Sequence, residues 1–164
     1  MPALTTEKAV KLFTKFGIYT RSELEARADI MYETYVKTIK IEANTMIHMA
    51  AKHYIPTVIG YTTRLAQSIT AVASACPEAE LSVQRGLLKD VSARLAEASA
   101  ALEQLKPLMD RVDAIQDVKE MAIAYRTAVV PAMDALRYPI DQLELMVDKS
   151  IWPVPTYGDL MFEV

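Results

Sequence analysis

Hydrophobic positions recur with helical spacing along almost the whole chain, most clearly after Pro77. There, large apolar residues recur every seven positions and a second apolar row runs beside them. The first row is Leu81, Leu88, Leu95, Leu102 and Met109, and the second is Val91, Ala98, Leu105 and Val112. Four consecutive heptads indicate a long packing seam on one helix. An intermolecular coiled coil is the alternative, but Leu87, Ala101 and Leu108 widen the apolar stripe, which favours a bundle formed within the chain.

The same spacing predicts helices before this seam. A short helix is expected from about Thr6 to Phe16, and Gly17 should end it, since glycine accepts the left-handed conformation common at helix ends. The segment Thr20-Arg-Ser-Glu23 is typical of a capping box and should start the next helix. An internal proline removes a helical hydrogen bond. We therefore expect a kink at Pro56, with helix resuming to about Ala75.

Prolines also punctuate the second half of the chain. Pro107 falls on the face opposite the seam, where it can bend the helix without disturbing the packed side. The last long helix should start near Gln116, with kinks or a break at Pro131 and Pro139. The predicted fold is an all-α bundle of long, kinked antiparallel helices, with a short leading helix and an extended apolar C-terminal tail. Residues 1–149 form the bundle in this interpretation and residues 150–164 form the tail.

Composition narrows the class of protein. A hydrophobic content of 52% with 24% charged residues is typical of a globular chain. The net charge of −3 and the scattered lysines and arginines argue against nucleic-acid binding, which needs a basic face. A single cysteine excludes an internal disulfide, and no secretory signal or membrane span is recognisable. We therefore predict a soluble cytoplasmic protein with neither nucleic-acid nor membrane partners.

The sequence offers little recognisable chemistry. The two histidines, His48 and His53, lack the glutamate three residues earlier that a di-metal bundle site uses, and their spacing of five predicts diverging faces. Asp110, Asp113 and Asp117 share one predicted helix side and could hold a hard cation, although a solvated face is favoured. No nucleophile elbow or phosphate-binding loop is present. We assign no catalytic, cofactor-binding or metal-binding residue, and a metal-dependent bundle enzyme is the least favoured hypothesis.

The C-terminal segment Ser150–Val164 departs from the helical pattern. Two prolines should hold its start in extended conformations. The segment is nevertheless strongly apolar, which is unfavourable in water unless it docks on a surface of this chain or of a neighbour. The candidate interaction residues are Trp152, Pro153, Pro155, Tyr157, Leu160 and Phe162.

The segment Trp152-Pro-Val-Pro-Thr-Tyr-Gly-Asp-Leu-Met-Phe-Glu-Val164 resembles the terminal motif of type III glutamine synthetases. Arg137, Asp141-Gln-Leu-Glu144 and Val147 resemble the family's last helix. Two stretches resemble the start of the family's C-terminal helical region. The first contains Gly17, Thr20-Arg-Ser-Glu23 and Arg27, and the second is Ile39-Lys-Ile-Glu-Ala43. The resemblance runs from about Leu4 to Val164, and its specific part is the tail.

The resemblance implies that this chain is a non-catalytic piece of a ligase that makes glutamine from glutamate, ammonia and ATP. ATP and a divalent metal, Mg or Mn, are implied for the parent enzyme and none for this chain. Val164 is then expected to be the natural end and Met1 not the natural start. The implied partners are the catalytic core of the same polypeptide and neighbouring subunits of a homo-oligomer. The alternative is a free-standing helical adaptor that binds other proteins.

Overall fold

The computed structural model describes residues 2–155 and 157–162, and these residues include no β-strand. The predicted all-α fold is confirmed. The α-helices are α1 (Glu7–Lys15), α2 (Arg21–Met49), α3 (Ile55–Ala75), α4 (Ser82–Asp113), α5 (Val118–Ala124), α6 (Val130–Met146) and α7 (Tyr157–Phe162). Short 3₁₀ turns cover Pro2–Thr5 and Lys149–Ile151. None of the described helices is both long and apolar enough to cross a lipid bilayer.

The chain divides into two compact units. The first comprises Met1–Asn44 and Pro107–Pro131, and the second comprises Thr45–Lys106 and Ala132–Val164. The core of the first unit is formed by Val10, Leu24, Ala28, Tyr32, Val36, Ala43, Met109, Val112, Ala122, Tyr125 and Val129. The core of the second is formed by Ala50, Val58, Leu81, Val91, Ala98, Leu102, Leu105, Met133, Leu136, Ile140, Leu143, Val147 and Trp152.

The connection between α1 and α2 follows the predicted capping signals. Gly17 has φ +64°, and Ile18 donates its backbone N–H to the Phe13 carbonyl at 3.0 Å, which closes α1 in a Schellman motif. The capping box is also confirmed. The Thr20 N–H donates to the Glu23 carboxylate at 2.7 Å, and the Glu23 N–H donates to the Thr20 hydroxyl at 3.3 Å. This backbone bond at Thr20 lowers the pKa of Glu23.

The heptad seam lies on α4 and is buried within the chain. Leu81, at its start, and six of its later positions, from Val91 to Val112, are buried, whereas Leu88 and Leu95 are half-buried. This burial confirms the interpretation of the seam as an intramolecular packing face. Pro107 is exposed and α4 continues past it, as expected for a proline opposite the packed side.

Two of the prolines are preceded by a wide π-helical turn. One turn covers Ala50–Tyr54 before Pro56, and the other covers Tyr125–Val129 before Pro131. In the first, Ile55 donates its N–H to the carbonyl of Ala50, five residues back. A proline ring clashes with the carbonyl four residues earlier in an α-helix, and a wider turn relieves this crowding. The interruptions expected at these two prolines thus take the form of π-turns, while α6 continues through Pro139.

Candidate functional site

Trp152 anchors the start of the C-terminal segment on the second unit. Its indole stacks on the Tyr54 ring, with centroids 5.2 Å apart and planes 24° from parallel, and the residue is only 7% exposed. Its backbone is extended, as the following proline predicts. An offset aromatic pair stabilises by about 0.5–1.5 kcal/mol beyond the burial of its apolar area. Within the described residues, the indole N–H has no hydrogen-bond partner, so this anchor is apolar in character.

Polar contacts fix the chain on either side of this anchor. Asp148 accepts a hydrogen bond from the Ser150 N–H at 2.9 Å, and this bond lowers the pKa of the Asp148 carboxyl. Lys149 forms an ion pair with Asp159 on α7. Because Lys149 and Asp159 lie on either side of Trp152 in the sequence, the segment between them is tied back on itself.

The last described residues of the segment are exposed. Leu160, Met161 and Phe162 on α7 are 71%, 72% and 79% exposed, which places three neighbouring large apolar side chains in contact with solvent. Of the other predicted interaction residues, Pro153 is half-buried and Pro155 is exposed. The side chain of Tyr157 lies outside the described part of the chain, as do Thr156, Glu163 and Val164. The helix α7 itself was not predicted by the sequence.

A cavity of about 380 Å³ lies beside the segment in the second unit. Met46, Met49 and Tyr54 line it from the region of the first π-turn, and Leu136 and Ile140 line it from α6. Val154, Pro155 and Leu160 of the segment complete the wall. Charge enters only from the α6 side, where Arg137 pairs with Asp141 at 3.2 Å. Glu144 also lies on this side, so the cavity combines a mostly apolar lining with three charged side chains from α6.

The residue on which Trp152 stacks, Tyr54, was not identified from the sequence. Tyr54 is the last residue of the first π-turn, and its ring position depends on that turn. The nearby Pro56 predicts an interruption of the helix. It does not predict which side chain of the interrupted turn faces the C-terminal segment. No local pattern pairs Tyr54 with a tryptophan almost a hundred residues away.

The prediction that His48 and His53 diverge is wrong. Their ring centroids lie 5.6 Å apart in an edge-to-face arrangement with planes at 64°. The physical reason is the π-turn between them, which places residues five apart on nearly the same side of the helix. Both residues are exposed. Among the described residues, no group of three or more His, Cys, Asp or Glu side chains is arranged to hold a metal ion.

The expectation that Asp110, Asp113 and Asp117 share one helix side is also wrong. The helix α4 ends at Asp113, and Asp117 is the N-cap of α5, where it accepts from the Glu120 N–H at 2.8 Å. Asp113 instead accepts hydrogen bonds from Tyr125 at 2.6 Å and from Lys40 at 2.8 Å, all within the first unit. Asp113 and Asp117 thus serve separate structural contacts.

Comparison with known proteins finds similarity to glutamine synthetases. Residues 1–73 match the model of the glutamine synthetase C-terminal domain family. The chain is 29% identical over 164 residues to a glutamine synthetase of Butyrivibrio fibrisolvens, covering all of this chain and 23% of that protein. It is 28% identical over 149 residues to one from Bacteroides fragilis, covering 88% of this chain and 20% of that protein.

A third relative carries the class in its name. The chain is 28% identical over 163 residues to a type-3 glutamine synthetase of Dictyostelium discoideum, covering 97% of this chain and 22% of that protein. The chain therefore spans only about a fifth to a quarter of the length of these relatives. The resemblance indicated by the tail motif is confirmed: the chain is similar to the C-terminal part of glutamine synthetases, the type-3 class included.

Proposed function

We propose that this chain is the non-catalytic C-terminal domain of a glutamine synthetase and that it provides contact surface for the rest of the enzyme. The parent enzyme would join glutamate and ammonia at the expense of ATP, with Mg or Mn in a catalytic region outside this chain. The partners are that region of the same polypeptide and neighbouring subunits of a homo-oligomer in the cytoplasm. Support comes from the relatives, whose remaining three quarters or more lies outside the matched part.

The observation that carries the proposal is the contrast between the two halves of the C-terminal segment. Trp152 is packed on Tyr54, which holds the segment in place, whereas Leu160, Met161 and Phe162 on α7 are more than two-thirds exposed. Burying three such side chains at a partner surface would contribute about 5 kcal/mol. An anchored segment that ends in adjacent exposed apolar side chains is suited to a contact with another part of the enzyme.

The proposal is tested by replacing Leu160, Met161 and Phe162 together with serine in the full-length polypeptide. We expect the mass of the assembled enzyme, measured by analytical ultracentrifugation, to shift toward smaller species, with a loss of glutamine synthesis. The matched control replaces Val83, Tyr138 and Leu145 with serine, because these apolar residues of the same unit are also exposed but scattered. Normal assembly and activity of the α7 variant would overturn the contact role.

The alternative, a free-standing helical adaptor, predicts a different natural product. An antibody raised against this chain should detect a band several times larger than 18.3 kDa in the source cells if the chain is a domain of a synthetase. A band at 18.3 kDa would instead favour the adaptor.

A further inference from the structure

The two histidines of the chain lie together on the outside of the first π-turn. His48 is on the last turn of α2 and His53 is inside Ala50–Tyr54, and both side chains are exposed. In a regular α-helix, residues five apart are separated by about 140° around the axis, so two imidazoles at this spacing could not meet. The π-turn brings their ring centroids to 5.6 Å. Wide turns of this kind occur frequently at functional sites.

A centroid separation of 5.6 Å is compatible with two imidazoles that bind one metal ion. Metal–nitrogen bonds of roughly 2.0–2.1 Å to two imidazoles place the ring centres on the order of 5 Å apart. Neutral imidazole suits zinc, copper and nickel, whereas magnesium and calcium prefer oxygen ligands. The ligand type therefore separates this pair from the Mg or Mn chemistry implied for the parent enzyme.

We propose that His48 and His53 form a binding site for a divalent transition-metal ion such as Zn²⁺ or Ni²⁺. Within the described residues no third His, Cys, Asp or Glu joins the pair, so water would occupy the remaining coordination positions. The bound ion links His48, which precedes the π-turn, to His53, which lies within it. Because Tyr54 follows His53 directly and stacks on Trp152, the ion also stiffens the turn that supports the C-terminal segment.

The composition of the chain makes the site easy to isolate. It has only two histidines and one cysteine, Cys76, which is exposed. The test uses the tag-free 164-residue chain with Cys76→Ser, titrated with Zn²⁺ and Ni²⁺ by isothermal titration calorimetry at about pH 7.5, because metal affinity depends on pH. We expect one ion per chain. The His48→Ala and His53→Ala variants should each bind at least about tenfold more weakly.

A second variant tests whether the π-turn creates the site. Exchanging two exposed neighbours, Lys52→His together with His53→Lys, keeps the composition and places the second imidazole four residues from His48. In a regular α-helix this spacing would build a metal site. In the π-turn it should separate the rings, so the exchanged variant should bind at least about tenfold more weakly than the parent chain, with an unchanged helical circular-dichroism spectrum.

Two results would overturn the proposal. One is the absence of saturable binding of either ion to the parent chain, or binding that both alanine substitutions leave unchanged. The other is equal or tighter binding by the exchanged variant, which would mean that the helix is regular between His48 and His53.

Thermal denaturation tests the site independently of the binding titrations. Metal should raise the thermal midpoint of the parent chain and not that of the alanine variants, since only the folded chain holds the two rings together.

Discussion

At the scale of single residues, the Tyr125 hydroxyl is a buried polar group of the first unit with a short hydrogen bond. Tyr125 is fully buried at the start of the second π-turn and donates to Asp113 at 2.6 Å, while Lys40 donates to the other oxygen of that carboxylate. Burial raises the pKa of Tyr125, and the bond to Asp113 raises it further. For Asp113, burial alone would raise the pKa, but the bonds from Lys40 and Tyr125 outweigh it and lower the pKa.

Tyr125→Phe should therefore lower the free energy of unfolding by about 1.5–3 kcal/mol at neutral pH, as expected for a lost hydrogen bond to a charged acceptor. Because the folded-state pKa of Tyr125 is raised, its contribution is fully present below the unfolded pKa of about 10 and is lost as the pH rises toward the folded pKa. The difference between the two proteins, measured by urea denaturation, should thus shrink above about pH 10.

The exposed Tyr138 provides the control for this comparison. Tyr138→Phe should change the free energy of unfolding by less than about 0.5 kcal/mol at either pH. A Tyr125→Phe effect that stays constant from neutral to alkaline pH would contradict the buried, protonated hydroxyl that the contacts indicate.

At the scale of elements, the sequence located the interruptions of the helices but not their geometry. Pro56 and Pro131 each lack the backbone N–H that a helix interior requires, so an interruption of the helix at each follows from the residue itself. A π-turn also depends on which side chains downstream must face the core, because inserting a residue rotates the rest of the helix. The core positions Val58 and Met133 reflect that choice, and they are set by packing between distant segments. The same missing information explains why the pairing of His48 with His53 was mispredicted.

The two prolines inside regular helices should respond differently to substitution. Pro107 is exposed on α4, so Pro107→Ala restores a backbone donor without loss of packing and should raise the free energy of unfolding by about 1–3 kcal/mol. Pro139 is buried on α6, so Pro139→Ala also removes apolar contacts and should gain less or lose stability. Chemical denaturation followed by circular dichroism compares them. A larger gain for Pro139→Ala would contradict the assigned faces.

At the scale of the whole molecule, the seam of α4 and the capping box were predictable because each is written in local spacing. The tail motif was equally local, and it carried the resemblance to glutamine synthetases. The docking of the segment was not predictable in detail. The apolar composition of Ser150–Val164 predicts that the segment packs on a surface. It does not predict that Trp152 is the residue buried, through its stack on Tyr54, while Leu160 and Phe162 stay exposed.

This division of the segment leads to a prediction for the isolated 164-residue chain. Trp152→Ala removes a buried aromatic side chain from its stack on Tyr54 and should cost about 3–5 kcal/mol of the free energy of unfolding. Phe162→Ala removes a side chain that is 79% exposed and should change stability by less than about 0.5 kcal/mol. Urea denaturation followed by far-ultraviolet circular dichroism measures both effects. Tryptophan fluorescence cannot be used for this comparison, because Trp152→Ala removes the only tryptophan of the chain.

In the full-length polypeptide, under the contact role that we propose, both substitutions should weaken assembly. Phe162→Ala removes contact surface, and Trp152→Ala releases the segment that presents it. Phe162 is available for a partner only because Trp152 already holds the segment in place, so the two residues divide anchoring and contact between them. If Phe162→Ala destabilised the isolated chain as much as Trp152→Ala, the end of α7 would be packed on its own unit. The exposed surface that supports the contact role would then not exist.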